Sequence, residues 1–283
     1  MSQSLPQHQS DFELATPTTE PSRSSNMMHS AKQIMKKVPE ITLYFWIIKL
    51  LTTAMGETTS DFIVRTSPIL AVALTSLGLI IALALQLSAR RYVPAIYWFV
   101  VVMVAIFGTI AADIVHIGLD VPYIASSAFF GIALAVIFAV WYRSEKTLSI
   151  HSIYTRRREL FYWAVVLATF ALGTSLGDLT ATTLKLGYLS SGVLFAVLFA
   201  LPALAFWLFH LNEILAFWLA YIITRPLGAS FADWLGKPQS VGGVGLGTGV
   251  VSLVLAIVII GLVGYLTITH NDSTKEYHDA ARQ

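Results

Sequence analysis

The chain contains no cysteine among its 283 residues. Disulfides, thiolate metal sites and cysteine redox chemistry are therefore excluded. Charge is scarce too: Asp, Glu, Lys and Arg make up 12% of the chain, where ordinary soluble domains carry about 25%. A formal net charge of +2 is too small to mark a nucleic-acid partner. Residues 1–37 hold no apolar h-region, so they do not read as a cleavable secretory signal. HExxH, a Ser–His–Asp arrangement and other hydrolytic signatures are lacking, and no cofactor is implied, so an enzyme is not expected.

What is plentiful is apolar sequence. Hydrophobic residues make up 56% of the chain, with runs of about 18 or more that can span a bilayer. The expected fold is all-α and polytopic, with eight transmembrane helices at about 40–62, 68–88, 93–117, 121–142, 159–184, 188–209, 211–234 and 244–268. Residues 1–37, rich in Gln, Ser, Thr and Pro, read as a disordered tail, although Met27 to Lys37 is also compatible with a short basic interfacial helix. Residues 38–269 form a single transmembrane domain, and 270–283 a second polar tail.

One phrase is written four times at fixed spacing: Trp46–Gly56–Asp61, Trp98–Gly108–Asp113, Trp163–Gly173–Asp178 and Trp218–Gly228–Asp233. Each copy opens a repeat, with units at about 38–90, 91–142, 157–209 and 210–269. A unit is then a hairpin of two helices, and an even number of spans per unit puts all four in the same orientation. Thirteen Lys and Arg fall on the side of the termini against three on the other, which predicts that both termini are cytoplasmic. Each aspartate follows its tryptophan by 15 residues, roughly 22 Å of helix, placing it in the outer part of the membrane. Tryptophan near a span end ordinarily anchors at the interface, and glycine within a span ordinarily lets helices pack closely. The glycine run from Val241 to Val250 is read as helix packing as well, because no strand precedes it as a nucleotide loop would need.

Aspartate is harder to explain structurally, since the C-terminal half of a helix disfavours negative charge and a bilayer makes it costly. In the first unit Lys49, Thr53, Glu57 and Asp61 share one face at about 100° per residue. Unit two keeps Thr109 and Asp113, unit three Thr174 and Asp178, and unit four Arg225 and Asp233. The repulsion between Glu57 and Asp61 calls for a bound cation, a shared proton, or counter-charge from Lys49 and Arg225. Lys49 can alternatively snorkel to the inner surface. Oxygen ligands suit a hard cation or a proton, with Glu57 and Asp61 the candidate metal ligands. His116, alone near the stripe, reads as a packed polar residue.

The segment KVPEITLYFWIIKLLTTAMGETTSD, Lys37 to Asp61, resembles the signature of a bacterial family of integral membrane proteins built on a membrane repeat of unknown function. The likeness continues through residues 149–181 and the last span. It implies an inner-membrane protein and supplies no substrate or site residues. Unit four departs from the fuller pattern, having Ala229 where unit one has Glu57. The expected activity is transport: a secondary carrier or exporter of a small hard cation across the lipid bilayer. Glu57, Asp61, Asp113, Asp178 and Asp233 would bind the ion with Thr53, Thr109 and Thr174, and Lys49 and Arg225 would act as counter-charges. The alternative is a non-transporting scaffold or sensor whose charges tie helices together.

Overall fold

A computed structural model describes residues 36–269. The expected tails and the short helix from Met27 fall on residues 1–35 and 270–283, outside the described residues, but Lys37, assigned to the tail, is buried in the folded domain. Eight long helices follow one another among the described residues: α1 (Leu43–Thr66), α2 (Pro68–Ser88), α3 (Pro94–Asp113), α4 (Tyr123–Glu145), α5 (Arg156–Asp178), α6 (Tyr188–Phe209), α7 (Glu213–Gly236) and α8 (Thr248–Thr269). Local chemistry sets their starts. Thr42, Thr155 and Asn212 cap α1, α5 and α7 with side-chain oxygens, and Pro68 and Pro94 open α2 and α3, where a missing N–H costs nothing. After Asp113 and after Asp178, at the same place in two repeats, the helix widens into a π turn (Ile114–Gly118 and Leu179–Thr183).

The odd helices form a closed ring, α1 on α3, α3 on α5, α5 on α7 and α7 on α1, and the even helices pack around it. The most apolar stretches of α3, α5 and α7 are 56%, 67% and 61% buried, against 17% to 28% for α2, α4, α6 and α8, whose apolar side chains face outward. Among the described residues seven helices are long and apolar enough to cross a membrane; α1 is the exception, interrupted by Lys49, Glu57, Asp61 and Arg65. Its partners α3, α7 and α8 cover it, so it has no need of an apolar surface of its own.

Packing departs from the expected hairpins. Each outer helix lies chiefly against the core helix of the following repeat: α2 on α3, α4 on α5, α6 on α7, and α8 back on α1. A lone pair could not bury a polar stripe and both its flanks, and interlocking the units does so.

Two contact rules close the ring. The glycine of each unit meets the residue seven after the next unit's tryptophan. A Cβ on Gly56 would lie 2.5 Å from Ala105 Cβ, on Gly108 2.7 Å from Phe170 Cβ, on Gly173 2.5 Å from Arg225 Cβ, and on Gly228 2.8 Å from Thr53 Cβ. No side chain fits at those distances, so glycine is required for close helix approach. The aromatic residue before each tryptophan likewise meets the next unit's indole: Phe45–Trp98, Tyr97–Trp163, Tyr162–Trp218 and Phe217–Trp46, with centroids 5.8, 5.5, 6.2 and 5.8 Å apart. Trp98, Trp163 and Trp218 are consequently buried, not interfacial anchors as expected: the ring uses them as contacts between neighbouring helices. The glycine run divides: Gly249, in α8, lies where a Cβ would meet the Phe62 ring at 3.0 Å, the close packing expected, and the glycines before it serve a turn. Gly242, Gly245 and Gly247 adopt positive φ in the loop before α8, a conformation glycine takes without strain.

Candidate functional site

The ring encloses an axis whose layers follow from position in the repeat. At the tryptophan end lies the aromatic layer of Phe45, Tyr97, Tyr162 and Phe217. Next come Lys49 and Tyr221, then Arg225, then Glu57, Thr109 and Thr174, and last the four aspartates.

Arg225 is the central knot. It is fully buried, and its Nη2 donates to Glu57 Oε2 at 2.6 Å, to Thr174 Oγ1 at 2.7 Å and to Thr109 Oγ1. These acceptors occupy one repeat position, eleven after tryptophan, in units one to three. Unit four has Ala229 there and supplies the guanidinium from one turn earlier. The departure seen in the sequence is thus a complementary change: three acceptors around one donor. Arg225 Nε and Nη1 have no hydrogen-bond partner.

Thr53 is placed elsewhere. Its hydroxyl donates to Leu50 O at 2.7 Å and lies 3.2 Å from Thr224 O, at the seam where α1 meets α7. Lys49 neither snorkels nor pairs with a carboxylate. It is 1% exposed, its Nζ lies 4.0 Å from the Phe170 ring centroid and 4.2 Å from that of Tyr221, and it has no hydrogen-bond partner.

The aspartates gather around one axis, one from each core helix. Asp113 is within electrostatic reach of Asp61, Asp178 of Asp113 and Asp233, and Asp233 of Asp61. A cation that the sequence reading left in a loop, Lys237, sits among them, its Nζ 2.6 Å from Asp61 Oδ2 and 3.4 Å from Asp233 Oδ1. Burial works against the Lys237 ammonium, but Asp233 and Asp61, with Glu57 behind them, outweigh it and hold its pKa above the ordinary lysine range. The glycine loop positions this group. Val244 N donates to Trp234 O and Leu246 N to Leu235 O, folding the loop onto the end of α7, and Gly243 lies where any Cβ would strike the Lys237 backbone. The signal available in the sequence was the i, i+4 spacing of Asp233 and Lys237 beside that glycine run.

Glu57 and Asp61 therefore face separate cations, Arg225 and Lys237, rather than a shared ion. Among the described residues no three His, Asp or Glu side chains gather as a metal ligand set, and Asp113 and Asp178 have no basic partner at ion-pair distance. His116 stacks on Tyr123 with its Nδ1 2.6 Å from Val121 O, a packed polar residue.

The opposite end carries a cluster the sequence did not announce. Glu159 on α5, fully buried, pairs with Lys37 Nζ at 2.7 Å and accepts from Gln86 Nε2 at 2.9 Å. The segment before α1 is pinned there by Lys37 N to Ile153 O and by Tyr92 N to Lys36 O.

Four repeated core helices inside a sheath of apolar ones define a multi-pass membrane protein of tandem-repeat architecture. The family described as Repeat of Unknown Function (DUF347) matches four times, at residues 44–92, 96–147, 161–211 and 216–272. The chain belongs to this family. No curated protein and no solved structure matches it.

Proposed function

We propose that the protein is a membrane carrier for a small hard cation (a proton, sodium or a divalent metal) loaded at the aspartate end. The observation that carries this reading is the set of four aspartates, one per core helix, around a single axis. With Glu57 they make five acids against Lys49, Arg225 and Lys237. Carboxylates in excess of their bases within a membrane protein are costly unless something else neutralises them. Lys237 is a tethered cation already seated between two of them, and Asp113 and Asp178 are left for an arriving one. The aromatic layer closing the far end of the axis favours a carrier over an open pore. The like-with-like register of the core helices supports four units in one orientation. The Lys and Arg bias then turns the aspartate end outward in a bacterial inner membrane, with α1 as an eighth span and both termini inside.

The test is flux of H⁺, Na⁺, Mg²⁺, Ca²⁺ and Mn²⁺ in liposomes, with Asp113→Asn and Asp178→Asn as variants. These two are chosen because Glu57→Gln would leave the buried guanidinium short of its partner and confuse function with folding. Transport by the wild type that both variants lose supports the carrier. One observation favours a second reading, a non-transporting scaffold: a single guanidinium on α7 ties α1, α3 and α5 together. That reading expects no flux of any of the five cations and no change in either variant.

A further inference from the structure

We propose that Lys49 is a proton-binding group coupled to cation loading, with the tyrosines of the aromatic layer as its path to the far side; this rests on the carrier reading. Of the three bases on the axis, Arg225 pairs with Glu57 and Lys237 with Asp61 and Asp233, and only Lys49 has no acid. Its surroundings are Phe170 of α5 and Tyr221 of α7, with Arg225 over the same Phe170 ring at 5.5 Å from its centroid. Two ring faces stabilise an ammonium, but by less than burying an unpaired charge costs. The titratable groups against Lys49 are Arg225 and Tyr221 from α7, with Glu57 two turns along its own helix. None of these is a free carboxylate.

The path follows from where the tyrosines stand. Tyr97 and Tyr162 share a hydrogen bond of 2.5 Å between hydroxyls, and Tyr221, whose ring lies against Lys49, keeps a hydroxyl without a hydrogen-bond partner that must turn to join them. A hydroxyl both donates and accepts, so it can pass a proton where a packed aromatic layer stops an ion. Tyr97 in turn contacts Tyr92 in the α2–α3 loop.

The coupling runs through Arg225. A cation at the aspartates attracts Glu57 and weakens its hold on the guanidinium. Arg225 and Lys49 are then two like charges against one ring, and release of the Lys49 proton to Tyr221, and from there to water at the tryptophan end, relieves the repulsion. Lys49 becomes a neutral amine, and one proton leaves for each cation bound, whatever the charge of the cation.

The experiment uses purified full-length protein in weakly buffered detergent with a pH dye, to which MgCl₂, MnCl₂ and NaCl are added in turn. Binding is read separately by calorimetry. The wild type should release about one proton per cation bound, for Na⁺ and for the divalent ions alike. Lys49→Met and Lys49→Gln should still bind and release none, and Tyr162→Phe should slow release without reducing its extent. Undiminished release from both Lys49 variants overturns the proposal. If no cation binds the wild type, the carrier reading has failed, and ¹⁵N NMR of the lysine Nζ still decides the proton site. A Lys49 signal that moves between amine and ammonium over about pH 5 to 9 supports it, and one fixed in either form sinks it.

Discussion

The two ends of the core ring are built from one repeat and have opposite character. At the tryptophan end the four units stay alike: an aromatic pair per unit, neutral, each packed on the next unit's pair, and stitched by Lys37, Gln86 and Glu159. At the aspartate end the acid is kept four times, but the residues one and two turns below it have become Glu57, Thr109, Thr174 and Arg225, one set of complementary parts. Aromatic contacts between neighbours are tolerant of repetition, because each interface can be satisfied locally. Charges meeting on an axis are not. Four equal acids or four equal bases would repel, so closing the ring forces the units to diverge where their side chains converge.

The largest expected effect comes from breaking that complementarity. Arg225→Met leaves Glu57 buried without its partner, which should destabilise the protein by about 3 to 5 kcal/mol. The measurement is thermal or denaturant unfolding in detergent. Adding Glu57→Gln to Arg225→Met should recover much of the loss, and a double variant no better than the single would show that the knot does not hold the ring. Next in size is the glycine rule. Gly173→Ala places a methyl against Arg225 and Pro226, an overpacking of about 1 to 3 kcal/mol. Gly261→Ala and Gly264→Ala on the outer helix α8 meet nothing within 4 Å and should be neutral or stabilising by up to about 1 kcal/mol. Equal effects at Gly173 and Gly264 would contradict the division into core and sheath.

Much of the architecture was legible because it is periodic. The fixed Trp–Gly–Asp spacing locates the repeats, the apolar runs locate the helices, and the helical stripe brings Glu57 and Arg225 onto the inward face. What escaped depends on which unit neighbours which, and no single chain position encodes that. Glycine was expected to permit close packing, but its partner seven residues along the next unit becomes visible only once the ring closes. The tryptophans illustrate the same limit. Alone, Trp98 fits an interface; beside Phe45 of the preceding unit it is core. Lys237 was hidden differently, since a lysine past the end of a helix looks solvated until the glycine loop folds it inward.

At the tryptophan end single changes should matter less, because no charge is left behind. Tyr162→Phe removes the hydrogen bond to Tyr97 but keeps the ring contacts with Trp163 and Trp218. A cost of about 1 kcal/mol is expected. A loss as large as that of Arg225→Met would erase the contrast between the ends.

The smallest effect concerns the rim of the acidic end. Lys237 is partly exposed, with a side chain 21% accessible, so screening limits its ion pairs and Lys237→Met should cost no more than about 1 kcal/mol. Its pH dependence is the sharper readout. The folded protein holds this proton more tightly than the unfolded chain, because Asp233 and Asp61 raise its pKa. A group raised on folding contributes fully below its unfolded pKa, about 10.4 for lysine, and the contribution fades as pH rises through the folded value. The contribution of Lys237 to the stability difference between wild type and Lys237→Met should therefore be full up to about pH 10 and narrow above that. A difference that shrinks between pH 6 and 8 would mean that the carboxylates around Lys237 do not hold it, and that the acidic end is less bound to its own internal cation than its geometry implies.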